Sequence, residues 1–291
     1  MAIAALESVS LATLLRLGRV SNLPTVWTNV LAGAVLAGAD WRDWRLAAVL
    51  IAMSLFYIGG MYLNDYFDRA IDARERPERP IPSGAIAAAA VAAIGFGLLA
   101  VALLVSATMG AAAAAIALLL CCAIVAYDLH HKGQPLAPVV MGACRALVYC
   151  GAAAALTGSV PLLVAAAAVA MAAYVAGLTY AARQESLDRV GNLWPLLLLA
   201  APMAIAIGAL HQGPAATAIY LLLAAWIAAA VYLLARRPGA GAVPRAVGWL
   251  IAGISLCDAA LLASIGAVGA AIMAIAGFGC TLFAQKYIAG T

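Results

Sequence analysis

Residues 45–84 read RLAAVLIAMSLFYIGGMYLNDYFDRAIDARERPERPIPSG. The stretch 45–63 is apolar after its leading Arg45 and has the length of a bilayer-crossing helix, about 20 residues. Charge then arrives abruptly. Asp65, Asp68 and Asp72 come first, followed by Arg74, Arg76 and Arg79 in a loop punctuated by Pro77, Pro80 and Pro82. An apolar span emptying into a charged loop is the unit from which the rest of the chain is built.

The composition carries that unit outward. Of 291 residues, 67% are hydrophobic and 10% charged, against roughly 25% charged in soluble domains. Candidate spans are 21–39, 45–63, 85–107, 110–126, 136–156, 161–181, 194–210, 215–235, 247–265 and 267–285. Only Ser264, Gly266 and Gly269 interrupt 247–285, so the count is nine or ten. The expected fold class is all-α, a polytopic membrane helical bundle forming one domain over residues 1–291. Ala-rich tracts such as 87–90 and 111–115 let helix backbones approach closely in lipid.

Lys and Arg sort to one end of such a bundle. With the N-terminus in the cytoplasm, Arg16, Arg19, Arg69, Arg74, Arg76, Arg79, Lys132, Arg183, Arg189, Arg236, Arg237, Arg245 and Lys286 fall inside, while only Arg42 and Arg45 fall outside. The positive-inside rule therefore predicts an integral protein of the cytoplasmic membrane with its charged loops in the cytoplasm. The net charge of +4 reflects this topology and the handling of an anionic ligand, and a nucleic-acid partner is not expected. Glu7 interrupts the N-terminal segment, which reads as a retained interfacial helix, with no signal peptide. The six cysteines show no CxxC pair and read as packing residues.

The loops hold the chemistry. On a helix continuing from the second span, positions 65, 68 and 72 share one face. Like charges that close repel, so the cluster makes sense around a cation. Mg²⁺ suits hard carboxylate ligands shared with a substrate phosphate, and the following arginines suit the phosphate oxygens.

Asn64-Asp65-x-x-Asp68-x-x-x-Asp72 followed by Arg79-Pro80-Ile81-Pro82-Ser83-Gly84 resembles the first aspartate-rich motif, and the stretch after it, of the UbiA-type intramembrane prenyltransferase superfamily. The resemblance covers essentially the whole chain. It implies a helical bundle around a lipid-open cavity, in which Mg²⁺ held by Asp65, Asp68 and Asp72 binds the diphosphate of a prenyl donor. Asn64 would orient the first aspartate, and Arg79 would hold diphosphate. A lipophilic, commonly aromatic acceptor would attack the allylic cation, while apolar walls exclude water. The run Tyr127-Asp128-Leu129-His130-His131-Lys132 resembles the loop in which a Tyr and a basic residue approach the diphosphate. Tyr127 takes the first role, and either His131 or Lys132 the second.

The superfamily's second motif, DxxxD, is altered here. Aligning Asp188 with its second acid places Gln184 at the first, with Glu185 adjacent. Glu185 and Asp188 are the expected ligands of a second Mg²⁺, and Arg183 could supply substrate-binding charge instead. This Thr-Tyr-x-x-Arg-Gln-Glu run resembles the divergent EboC-like branch. The alteration supports a rival reading, a carrier or scaffold for a prenyl or pigment-like lipid without turnover.

Two ionisable residues fall inside spans, where charge is costly and marks candidate sites. Arg145 could reach phosphate or pair with Asp258, which reads as structural. Asn29, inside the first span, lines the cavity or bonds across helices.

Overall fold

A computed structural model describes residues 9–131, 133–183, 192–237, 239, 241–288 and 290. Among the described residues every regular element is helical. The short α1 (Leu11–Leu17) precedes a turn of 3₁₀ helix and α2 (Leu23–Leu36), which Pro24 opens at a position where its missing N–H costs nothing. Then come α3 (Arg45–Glu75), α4 (Ala88–Ala107), α5 (Ala111–His130), α6 (Ala137–Thr157) and α7 (Leu162–Ala182). The apolar run Trp194–His211 is not a regular α-helix. Its centre, α8 (Ala201–Ile205), is flanked by 3₁₀ segments, and Pro202, inside the run, removes a donor from the i→i−4 ladder. The chain closes with α9 (Pro214–Arg236), α10 (Ala242–Ser264) and α11 (Val268–Ala284).

Eight stretches among the described residues are long and apolar enough to cross a bilayer, with 194–211 counted as one. The first and last of the ten expected segments are shorter helices, α2 with 14 residues and α11 with 17. The break within 247–285 falls at Gly266, whose φ of +77° reverses the chain at little cost because glycine has no Cβ.

Two apolar clusters share α2 and α6. One joins them to α3, α4 and α5, and the other to α7, α9, α10 and α11. Packing is close because small residues sit at the crossings. A Cβ on Gly142 would collide with the backbone of Ala172 on α7, and one on Gly33 with that of Tyr149 on α6. The helix α10 is enclosed along most of its length.

Candidate active site

Helix α3 overshoots. Thirty-one residues at 1.5 Å each make about 46 Å, against roughly 30 Å of hydrocarbon. Its last turns therefore project from the apolar layer, and their i, i+3, i+7 face carries Asp65, Asp68 and Asp72, all less than a tenth exposed. Pro77 prevents continuation, and the segment 76–84 curls back: Ser83 N–H donates to the Arg79 carbonyl at 2.9 Å, and Gly84 takes φ +78°. That curl returns Arg79 to the carboxylates. Its Nη1 donates to Asp72 Oδ2 at 2.9 Å and to Asp65 Oδ1 at 3.3 Å. From before α2, Arg19 Nη2 reaches Asp65 Oδ1 at 3.3 Å and Asn64 Oδ1 at 3.4 Å.

The end of α5 faces this row. His131 stacks on Tyr127, with ring centroids 4.8 Å apart, and sets Nε2 3.3 Å from Asp68 Oδ2. Asp128, 5% exposed, accepts from Asn64 Nδ2 at 3.3 Å, while its Oδ2 has no hydrogen-bond partner among the described residues. On the far side, Arg183 at the end of α7 donates to the Gln134 carbonyl at 2.8 Å.

Asp68, Asp72, Arg79, Tyr127, His131 and Arg183 line a cavity of about 270 Å³, while Asp65 borders a groove beside it and Asp128 the chamber behind it. Behind it lies an apolar chamber of about 80 Å³ walled by Met53, Phe56, Leu120, Ile124 and Val148. Tyr57, Met61, Tyr127, Met141 and Arg145 belong to both walls, so a polar head in the first chamber can run an apolar tail into the second.

Asn29 and Arg145 do not join the row of aspartates. Arg145 donates to Asn29 Oδ1 at 2.9 Å, and the Asn29 amide donates to Asp258. Arg145 thus meets Asp258 through an amide and not as the direct pair weighed from sequence, and it borders the same cavity as Asp68 and Asp72. Lys132, Glu185 and Asp188 lie outside the described residues. Sequence reasoning passed over Arg19 and Asp128 as site residues. The signal for Asp128 was its i, i+3 spacing to His131 on the same helix; for Arg19, which arrives from another element, there was none.

Whether these residues suit Mg²⁺ turns on their donor chemistry. Among the described residues no three His, Cys, Asp or Glu side chains gather around one point. The cavity does offer hard carboxylate oxygens from Asp68 and Asp72, and Asp128, whose Oδ2 has no partner among the described residues, borders the chamber behind it. Mg²⁺ characteristically binds one or two carboxylates together with substrate phosphate and water, and this donor set fits that habit.

Residues 26–242 match the family described as the UbiA prenyltransferase family. Curated relatives include digeranylgeranylglyceryl phosphate synthases of Methanothrix thermoacetophila, 34% identical over 43% of this chain and 47% of the relative, and of Methanopyrus kandleri, 33% identical over 44% and 46%. The chain thus spans about half the length of these relatives. Among solved structures, a UbiA homolog from Aeropyrum pernix matches with TM-score 0.67 at 20% identity, covering 83% of this chain and 98% of that one. Another from Archaeoglobus fulgidus, bound to GPP and Mg²⁺, matches with TM-score 0.60 at 14% identity, covering 86% and 99%. At such identities these structures establish a shared fold.

Proposed function

The chain belongs to the UbiA prenyltransferase family, and from that premise we propose that it transfers an isoprenyl group from a prenyl diphosphate to a lipophilic acceptor inside the membrane, in a Mg²⁺-dependent reaction. The observation that carries this reading is the junction itself: buried carboxylates and guanidinium groups at the head of a cavity whose inner end is apolar. Mg²⁺ would be held by Asp65, Asp68 and Asp72, and when bound it neutralises charge developing on the leaving diphosphate. Arg79 bridges Asp65 and Asp72 and Arg19 pairs with Asp65, and both would turn toward phosphate oxygens, for which a guanidinium fork is well shaped. His131, packed on Tyr127 and beside Asp68, would donate to the leaving group, with Lys132 next to it in sequence. Arg183 lies across the cavity and would supply further positive charge. Glu185 and Asp188 are assigned to a second metal position by sequence resemblance alone. The apolar chamber would hold the prenyl tail and exclude water from the allylic cation. The acceptor is an electron-rich aromatic ring or, as the names of the relatives suggest, a hydroxyl of a phosphorylated glycerol lipid.

The test is diphosphate release by purified protein in lipid nanodiscs, using geranyl, farnesyl and geranylgeranyl diphosphates with and without Mg²⁺ and with both acceptor types. Metal- and acceptor-dependent release is the expected result. Mg²⁺-dependent donor binding without release under any combination would replace this reading with the carrier.

A further inference from the structure

On the flank of the bundle, α10 and α11 run in opposite directions and leave an open groove of about 610 Å³ between them, with Trp226 of α9 on its wall. The sequence lays this groove out by period. Arg245, Gly248 and Trp249 stand at i, i+3 and i+4 on α10, while Gly279, Leu282, Phe283 and Lys286 stand at i, i+3, i+4 and i+7 along α11 and the turn after it. The start of α10 therefore meets the end of α11, and both cations stand at one end of an otherwise apolar slot. Two glycines keep the slot open. At Gly142 and Gly33 glycine lets two backbones touch, but among the described residues a Cβ on Gly279 would meet nothing within 4 Å, and one on Gly248 would lie 3.6 Å from the Gln285 side chain. The aromatic wall is fixed: Trp226 Nε1 donates to the Trp249 carbonyl at 2.8 Å, and its ring meets Phe278 edge-on with centroids 4.8 Å apart.

The head of the groove is positive and uncompensated. Among the described residues no acidic side chain lines it, and neither Arg245 nor Lys286, both exposed, has an ion-pair partner. Membrane topology does not require the two to converge, since Arg236 and Arg237 at the end of α9 serve the positive-inside rule without lining the groove. Paired cations at the head of an apolar slot between membrane helices match an amphiphile, an anionic headgroup carrying a hydrocarbon chain. The groove also shares a wall with the polar cavity. Gln285, half-buried along it, donates Nε2 to Asn22 Oδ1 at 3.2 Å, and Asn22 borders the cavity that holds Asp68 and Asp72.

We propose that this groove holds one anionic phospholipid of the surrounding membrane, its phosphate on Arg245 and Lys286 and an acyl chain along Trp226, Trp249 and Leu282, and that the seated headgroup restrains Gln285 and through it the Asn22 wall of the donor cavity. The lipid site stands on the groove alone; the effect on the cavity rests on the prenyl-transfer reading for the word donor.

Trp226 and Trp249 report on the site. The full-length protein is placed in phosphatidylcholine nanodiscs, and quenching of its tryptophan fluorescence is titrated with phosphatidylglycerol or phosphatidylcholine brominated on an acyl chain. Phosphatidylglycerol should reach half-maximal quenching at a mole fraction at least about fivefold lower, the factor that one Lys or Arg contributes near an anionic lipid. Replacing both groove tryptophans, Trp226→Phe with Trp249→Phe, should remove that selective component. Arg245→Gln with Lys286→Gln should make the two lipids equal, whereas Arg236→Gln with Arg237→Gln, which removes the same charge outside the groove, should leave the selectivity intact. Equal quenching by the two lipids in wild type overturns the site, as does selectivity lost equally in both charge variants, which would mean a diffuse surface attraction. Soluble glycerol 3-phosphate should not reverse the quenching; reversal would assign the groove to a free phosphate and overturn the lipid. For the cavity, Mg²⁺-dependent farnesyl diphosphate affinity is measured with and without phosphatidylglycerol. The ratio of the two affinities should be at least about fivefold larger in wild type than in Arg245→Gln with Lys286→Gln, a comparison that cancels the bulk charge of the membrane. Equal ratios overturn the link to the cavity. Failure of wild type to bind farnesyl diphosphate in either membrane would remove the prenyl-transfer reading and leave the quenching result intact.

Discussion

At the scale of single residues, Asp68 carries the sharpest expectation. It lines the polar cavity and lies against His131 rather than in the Arg79 bridge that occupies Asp65 and Asp72. Asp68→Ala should therefore remove a proposed metal ligand while leaving the Arg79 bridge to Asp65 and Asp72 in place. Prenyl transfer should fall at least about a hundredfold, as expected when charge stabilisation in the transition state is lost, while the elution volume in detergent stays that of wild type. Turnover near the wild-type rate would refute the role. Arg79→Gln is a different case. Arg79 bonds two carboxylates, and its loss leaves Asp65 and Asp72 facing each other with less compensation. That variant should raise the apparent KM for the donor and also lower thermal stability; an unchanged KM would separate Arg79 from the diphosphate. The aspartate row was legible in the sequence because a helix has a fixed period, so spacing alone places 65, 68 and 72 on one face. Arg19 and the Asn29–Asp258 bond were not legible as such, since their partners are 46 and 229 residues away and only tertiary packing brings them together.

At the scale of the elements, close helix crossings replace a hydrophobic driving force that lipid does not supply. The crossing of α6 and α7 places Gly142 directly against the Ala172 backbone, which has no flexible end to move aside. Gly142→Ala should push the helices apart at a cost of about 1–3 kcal/mol, seen as a lower unfolding midpoint in detergent. Since α6 also carries Arg145 and α7 ends at the cavity-lining Arg183, donor affinity should weaken in the same variant. An unshifted midpoint would show that the crossing relaxes without penalty. Hydropathy located the eight stretches that are long and apolar enough to cross a bilayer among the described residues, but not their regularity. Residues 194–211 satisfy the length and apolarity of a span, yet they divide between 3₁₀ and α geometry around Pro202, a local backbone effect that a sliding average does not register.

At the scale of the whole molecule, the polar chemistry collects at one end of the bundle. The ends of α3, α5 and α7 meet the start of α6 around one cavity, and Arg16, Arg19, Arg76 and Arg79 line a second groove beside it. The turns at the opposite end carry Arg42 and Arg45, and Arg45 is tied to Asp43 at 2.7 Å, which lowers the pKa of that aspartate by hydrogen bonding and weakens any opposing topogenic signal. The asymmetry argues that the cavity mouth faces the cytoplasm, where arginine-rich loops are retained during insertion and a soluble pool of diphosphate donors would meet it. Single cysteines test this directly. Ser83, in the loop between α3 and α4, and Ser159, between α6 and α7, are both exposed and lie at opposite ends of the bundle. In a background lacking the native cysteines, Ser159→Cys should react with a membrane-impermeant maleimide in intact spheroplasts, and Ser83→Cys only in inverted vesicles. The reverse pattern would put the mouth outside, and a cytoplasmic donor would then have to cross the membrane before it could bind.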